Sequence, residues 1–521
     1  MPTRLARWSA CFCLLALLLA QHARGGDVSF EVTFDRAARD QPAAGRLVVY
    51  LVKQGSNVWQ REPADGPFWE DPQPLFGKDV SDWKPGDPVV IGADTDFPDA
   101  YPHPPAELSP GKYKAQAVLD LGRVESVWSR EPGNLSGEAV EFEVKADGPT
   151  RVTLSLTKAV EARPFRETEA IKEVSVESKL LSAFRGEPVT LRAGVLLPID
   201  YDPAKQYAAV YTIPGFSGRH TEVHQYARWR SGPWGELRKR AFIIVLDPES
   251  PNGHTLFCDS RVNGPCARAL IEELIPAVEA RFPLVREPWA RIVTGHSSGG
   301  WSSLWLGTQY PGTFGACWST GPDPVDFRRL ELIDIYGDAN AYMTADGGER
   351  PAARFPGGRL GAGTYKVTMS LRDENGGEGV LGPNNTSGQQ WDSWMACWGT
   401  PDPANEAVAK PLFDAKTGAL DHAEAKAYEA YDIRLLLARD PERYVPLFAQ
   451  NVRILCGELD NYYLNEAVSL LKEELARHDL PAGPGYVKLV PGADHGGSLF
   501  MRPEMTAVPG EMVEHLKAHM E

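Results

Sequence analysis

The segment Gly295-His296-Ser297-Ser298-Gly299-Gly300 constrains this chain more than any other. It follows an apolar run, Arg291–Thr294, that reads as a buried strand, and it opens Trp301–Leu306, which reads as a helix. A Gly-x-Ser-x-Gly pattern between strand and helix forces a sharp turn in which only glycine tolerates the close backbone approach. Such a turn holds the serine hydroxyl exposed at the edge of a sheet. A serine is a weak nucleophile by itself and needs a general base, which in turn needs an orienting acid. The rest of the chain can be searched for both.

Around this turn the pattern alternates between strands and helices. Ala208–Ile213, Phe242–Leu246, Arg453–Cys456 and Val487–Val490 are unbroken apolar runs, as expected of strands buried on both faces. Helices are predicted over 266–282 and 465–477. Strand–helix alternation predicts an α/β fold with a mostly parallel central sheet. Residues 323–450 interrupt it with Gly- and Asn-rich loops and a tryptophan cluster, and read as a lid-like insertion with one further helix over 422–438. Upstream, 27–165 shows short strands separated by Pro/Gly turns (28–34, 46–51, 113–119, 139–144, 150–156) and no long helical period. This predicts a β-sandwich-like accessory domain ahead of a catalytic domain at 166–521.

Two strand ends supply the missing partners. Arg453–Cys456 runs into Gly457-Glu458-Leu459-Asp460, and Val487–Val490 runs into Pro491-Gly492-Ala493-Asp494-His495. In a parallel sheet these loops share the edge that carries Ser297. The order Ser297, Asp460, His495 is the one such serine hydrolases use. Among the eleven histidines, His220, His224 and His254 precede the serine, His422 lies on a polar helix, and His296 occupies the variable position of the turn. Glu458, Asp494 and Asp338 compete with Asp460 as the acid. The oxyanion donors are expected to be the amide of Ser298 and, from the loop after Ala208–Ile213, that of Phe216 or of Gly215.

These pieces resemble the Putative esterase family of α/β-hydrolases, which includes esterase D and the enterochelin and feruloyl esterases. The likeness lies in Gly194–Pro198, Ile213–Phe216, Asp259-Ser260 with Asn263–Pro265, Glu272–Pro276, Gly295–Gly300, Tyr310-Pro311 with Phe314, Gly457–Asp460 and His495-Gly496. It spans about 190–500 apart from the insertion. The resemblance implies hydrolysis of carboxylic esters through an acyl-enzyme. The chain departs from the family in carrying Pro214-Gly215 where members commonly have His-Gly, and in the length of its insertion. Trp391, Trp394, Trp398 and Trp229 (with Trp234) are candidates for lining an acyl or sugar pocket, or for packing a lid core. A serine peptidase on the same fold, and a non-catalytic exported carbohydrate-binding protein with a vestigial triad, are the alternatives.

Composition bounds the partners. A net charge of −16 disfavours a phosphate backbone, so no nucleic-acid partner is expected. The expected substrate is a small-molecule or polysaccharide-linked ester. No His- or Cys-rich spacing suggests a metal, and no cofactor is expected. Arg4 and Arg7 precede the apolar run 10–20, which is shorter than a bilayer span. The run therefore reads as a signal peptide over 1–25, cleaved near Ala23–Gly26, rather than an anchor, and predicts a secreted or periplasmic protein with no membrane association afterwards. Cleavage would remove Cys11 and Cys13 and leave Cys258, Cys266, Cys317, Cys397 and Cys456. Cys258 and Cys266 could close a small disulfide loop or remain buried thiols. Asn134, Asn384 and Asn385 fit glycosylation sequons.

Overall fold

The structure is a computed structural model that describes residues 27–122, 124–356 and 364–520. The predicted signal peptide lies outside the described residues. Among those residues no helix is long and apolar enough to cross a membrane.

The central sheet has eight strands: β1 (Ile171–Ser178), β2 (Val189–Leu196), β3 (Ala208–Ile213), β4 (Ala241–Leu246), β5 (Arg291–His296), β6 (Ala316–Thr320), β7 (Val452–Gly457) and β8 (Tyr486–Val490). Their order is β1-β2-β4-β3-β5-β6-β7-β8. The strands from β4 through β8 are mutually parallel, whereas β1 and β2 are antiparallel additions at one edge. The expected α/β fold with a mostly parallel sheet is therefore present. β3, β4 and β7 are buried at every position. Each Ile, Leu or Phe so buried contributes about 1.5–3 kcal/mol. β1 and β2 escape a search for apolar runs because polar residues interleave along them (IKEVSVES, VTLRAGVL).

The strands of 28–159 form two sheets, of three and seven strands. Phe30, Phe34, Leu51, Phe76, Trp83 and Tyr113 belong to one apolar core that the two sheets share. The other face of the larger sheet is also covered. Val48, Tyr50, Leu75 and Val118 pack on Val380 and Leu381 of the insertion, and Arg46 donates to the Val380 carbonyl at 3.0 Å. Burial on both faces explains why Ala43–Lys53 is buried almost without alternation. This unit is thus packed against the rest of the chain rather than tethered to it.

Five helices position or surround the site: α1 (Ser298–Gln309), α2 (Leu371–Leu381), α3 (Gln390–Trp398), α4 (Leu464–Leu475) and α5 (Pro503–Met520). The insertion joins β6 to β7 and contributes α2 and α3. The single helix expected over 422–438 is two, His422–Tyr428 and Ile433–Arg439. Buried Asp432 divides them by capping the second: its side chain accepts from the Leu435 amide at 2.8 Å and from Phe327 N at 3.1 Å. The helix predicted at 266–282 is continuous except for a π turn at Leu270–Leu274. The five cysteines 258, 266, 317, 397 and 456 are free and buried, so Cys258 and Cys266 do not close a loop.

Candidate active site

Ser297 links β5 to α1 in the left-handed region, with φ 59° and ψ −125°. The turn is locked from both sides. The Ser297 amide donates to the Thr320 carbonyl of β6 at 3.0 Å, and its carbonyl accepts from Trp301 N at 3.0 Å. The flanking glycines are sterically required: a Cβ on Gly299 would stand 2.0 Å from the Ile213 carbonyl oxygen, and one on Gly295 would stand 2.2 Å from that of Gly299. The serine therefore projects from the carboxyl edge of the sheet, next to the loop that follows β3.

Asp460 and His495 arrive on the same edge from β7 and β8. Asp460 is fully buried. Its Oδ2 accepts from His495 Nδ1 at 2.7 Å, while its Oδ1 takes the Tyr462 and Leu464 amides at 3.0 and 3.4 Å. The His495 main chain is anchored as well, its amide donating to Asn461 Oδ1 at 3.0 Å. Burial disfavours the imidazolium, but the Asp460 carboxylate outweighs it and holds the His495 pKa above the ordinary 6.5. His296, whose ring centroid lies 4.4 Å from that of His495, is pushed well below 6.5 by burial and by that neighbour, so it supports the site as a neutral ring.

Ser297 and His495 line one cavity of about 320 Å³, together with Gly215 and Phe216. Among the described residues no hydrogen bond joins Ser297 Oγ to His495; in ligand-free sites such bonds are often long and tighten only with substrate. Ser298 begins α1, so its amide is among those that a helix leaves unpaired. The loop carrying Gly215 and Phe216 is braced from behind. His254 bonds the Pro214 carbonyl through Nε2 at 3.1 Å and accepts the Leu256 amide at Nδ1 at 3.0 Å. Burial lowers its pKa to about 4, which keeps this tautomer neutral.

The rival acids are engaged elsewhere. Asp494 Oδ1 caps the Gly496 and Ser498 amides at 3.1 and 2.9 Å. Glu458 takes the Gly492 amide at 3.1 Å, and Asp338 pairs with Arg350 at 2.8 Å.

The tryptophans divide. Trp394 lines the cavity, and its Nε1 donates to Asp323 Oδ2 at 2.7 Å. Trp391 and Trp398 do not line it. Trp391 packs on Trp394 and Phe413, and Trp398 on Phe327 and Trp301, in the core between the insertion and α1. Trp229 is also away from the cavity. It is 42% exposed and packs edge-on to Tyr226 and against Trp234 of the short helix Gly232–Arg238. Six lining residues were not anticipated: Trp69 from the loop between the strands Ala43–Lys53 and Leu75–Trp83, Asp323 and Glu331 after β6, Gln390 at the start of α3, and Tyr462 and Leu464 beside Asp460. Asp323 obeys the same strand-end rule as Asp460. It escapes because β6 (Ala-Cys-Trp-Ser-Thr) lacks an aliphatic run.

One contact ties the insertion to the acid loop. Arg354 Nε donates to the Asp460 carbonyl at 2.9 Å and Nη2 to Asn465 Oδ1 at 3.2 Å, with the guanidinium 4.4 Å from the Tyr463 ring centroid. Arg354→Ala is expected to destabilise the protein by about 1–3 kcal/mol, seen as a lower denaturant midpoint and a reduced kcat. A midpoint equal to wild type would show that the clamp carries no stability.

Comparisons with known proteins bear on this arrangement. Among solved structures, the chain is similar to a ferulic acid esterase (12% identity, 66% of this chain, 99% of that chain, TM-score 0.38). It is also similar to an S-formylglutathione hydrolase from Agrobacterium tumefaciens (13% identity, 67% and 94%, TM-score 0.37). A third is the fluorophosphonate-binding serine hydrolase F of Staphylococcus aureus (13% identity, 66% and 98%, TM-score 0.38). A search of curated proteins finds no match. The family model described as Putative esterase matches residues 188–417, a stretch holding Gly215, Phe216, Ser297 and Ser298 and ending before Asp460 and His495. By that match, residues 188–417 are similar in sequence to the Putative esterase family.

Proposed function

We propose that this chain is an exported serine esterase in which Ser297 is the nucleophile, His495 the general base and Asp460 the residue that orients it. The observation that carries the reading is the meeting of Ser297 with the 2.7 Å His495–Asp460 pair in one cavity, each residue delivered by a different parallel strand. With Nδ1 donating to Asp460, the imidazole presents an unprotonated Nε2. Nε2 takes the Ser297 proton as Oγ attacks the ester carbonyl, and the carbonyl oxygen gathers negative charge. The amides of Ser298 and Phe216, with Gly215 in reserve, stabilise that charge. The imidazolium, held by Asp460, returns the proton to the leaving alkoxide. Water then repeats the sequence on the acyl-enzyme, with His495 again as base.

In this reading the β-sandwich-like unit at 27–165 is part of the substrate site, since Trp69 lines the cavity. The insertion at 323–450 acts as a fixed lid, contributing Trp394 and Gln390. The substrate is a small-molecule or polysaccharide-linked ester met outside the cytoplasm, where the leader would deliver the protein.

Labelling with a fluorophosphonate, followed by peptide mass spectrometry, tests the assignment: the adduct is expected on Ser297. An adduct elsewhere, or none, would overturn it. The pH profile adds a second check. Only neutral His495 can accept the proton, so kcat/KM for an uncharged ester should rise with pH through a pKa above 6.5. An inflection below 6.5 would count against the Asp460–His495 pair.

A further inference from the structure

Five acidic side chains lie buried on one side of the cavity: Asp323, Glu331, Glu374, Glu378 and Asp392. Asp323 and Glu331 face into it, while Glu374 and Glu378 line a small adjoining void that also touches Trp69. Three of the five have good partners. Asp392 accepts from Ser387 N at 2.7 Å, Glu378 from Trp391 N at 3.1 Å, and Asp323 from Trp394 Nε1 at 2.7 Å. Glu374 and Glu331 do not: both Glu374 oxygens and the Glu331 Oε2 lack a hydrogen-bond partner among the described residues, and of the two only Glu331, 1% exposed, lines the main cavity. It also stands at the corner of the two-residue turn Leu330–Ile333 with φ 54°, a conformation that favours glycine. A buried carboxyl oxygen left unpaired is costly. Such a group in a cavity wall is best explained by a ligand that pairs it.

The chemistry of that ligand follows from charge. No lysine or arginine is among the principal influences on any of the five carboxyls; the one cationic group there is His495, which acts on Asp323. Burial pushes the Asp323 carboxyl up to about 6 and that of Glu374 to about 8, and burial together with the neighbouring Glu374 holds Glu331 well above the usual carboxylate range. Among the described residues no three ligating side chains converge as a metal site. Trp69, Trp394 and Tyr462 line the same cavity, and aromatic rings attract organic cations. A cationic nitrogen would favour the ionised form of these carboxyls, whereas a neutral polyol would leave them protonated.

We propose that this side of the cavity is a subsite for an ammonium group of the ester substrate, with the Glu331 carboxylate as its principal partner and Trp69 as part of its aromatic wall. The proposal rests on the esterase reading and adds the substrate class: esters that carry a cationic nitrogen on the acyl or the alcohol side.

Two pairs of esters test it, each an ammonium compound and its uncharged carbon isostere. On the acyl side the pair is p-nitrophenyl 5-(trimethylammonio)pentanoate and p-nitrophenyl 6,6-dimethylheptanoate. On the alcohol side it is butyrylcholine and 3,3-dimethylbutyl butyrate. The wild-type enzyme is expected to favour the charged member of at least one pair by about tenfold or more in kcat/KM. Glu331→Gln should bring that ratio towards one, and Trp69→Leu should lower it. The ratio is taken within one protein, so partial misfolding cancels. Equal kcat/KM values in both pairs, or a preference that survives Glu331→Gln, would overturn the subsite while leaving the esterase reading standing. If none of the four esters is hydrolysed and no fluorophosphonate adduct forms on Ser297, both proposals fall together.

Discussion

Ser297→Ala is expected to lower kcat on a p-nitrophenyl ester by about 10⁴- to 10⁶-fold, with little change in thermal stability. The size of the loss follows from chemistry that no neighbour can replace. Without Oγ, water would have to attack directly, and only the oxyanion amides and substrate binding would still assist. The small structural effect follows from the turn. The contacts that hold position 297 are its own amide and carbonyl, bonded to Thr320 and Trp301, and alanine keeps both. Its positive φ is already borne by a residue with a Cβ. Steady-state kinetics on active-site-titrated enzyme, with circular dichroism melts beside them, decide the matter. A variant retaining a tenth of wild-type activity would remove Ser297 from the mechanism.

Asp460→Asn should cost about 10³- to 10⁴-fold in kcat at neutral pH, although the change is nearly isosteric. Asp460 Oδ1 accepts two backbone amides, from Tyr462 and Leu464. The carboxamide oxygen of an asparagine must stay there, because its NH2 would otherwise oppose two donors in a buried site. The NH2 is then aimed at His495 Nδ1, a donor facing a donor. The ring can relieve the clash only by moving its proton to Nε2, and in that tautomer it cannot accept a proton from Ser297. The same substitution removes the charge that holds the His495 pKa above 6.5, so the acid limb of the pH profile should move to lower pH. A fall of less than tenfold would show that Asp460 does not set the tautomer.

The three residues in these predictions were legible because each obeys a local rule. Ser297 sits in a glycine-framed turn, and Asp460 and His495 follow short apolar runs that can only be buried strands. Parallel pairing then places all three loops on one edge, so the order of elements along the chain was enough. The rival acids could not be dismissed in the same way. Asp494 and Glu458 also follow strand ends, and what separates them from Asp460 is which backbone amides each carboxylate meets. The tryptophans show the same limit. Trp391, Trp394 and Trp398 share one helix, α3, yet only Trp394 reaches the cavity, because the neighbouring faces of that helix are taken up by Phe413 and Phe327.

The amino-acid sequence by itself thus determined the α/β alternation, the strand-to-helix turn at Ser297 and the order in which the Asp460 and His495 loops follow it. All of these depend on periodicity and turn chemistry over a few neighbouring residues. The tertiary structure alone decided what surrounds Ser297: Trp69 from the loop over 54–74, Asp323 and Glu331 from the start of the insertion, and Arg354 closing on the Asp460 loop. These residues are far apart along the chain and meet only because the sheet whose connection over 54–74 carries Trp69 is buried on both faces, one of them against α2. No local pattern records which distant segment will cover an exposed apolar face, and at this site that cover forms the wall of the cavity.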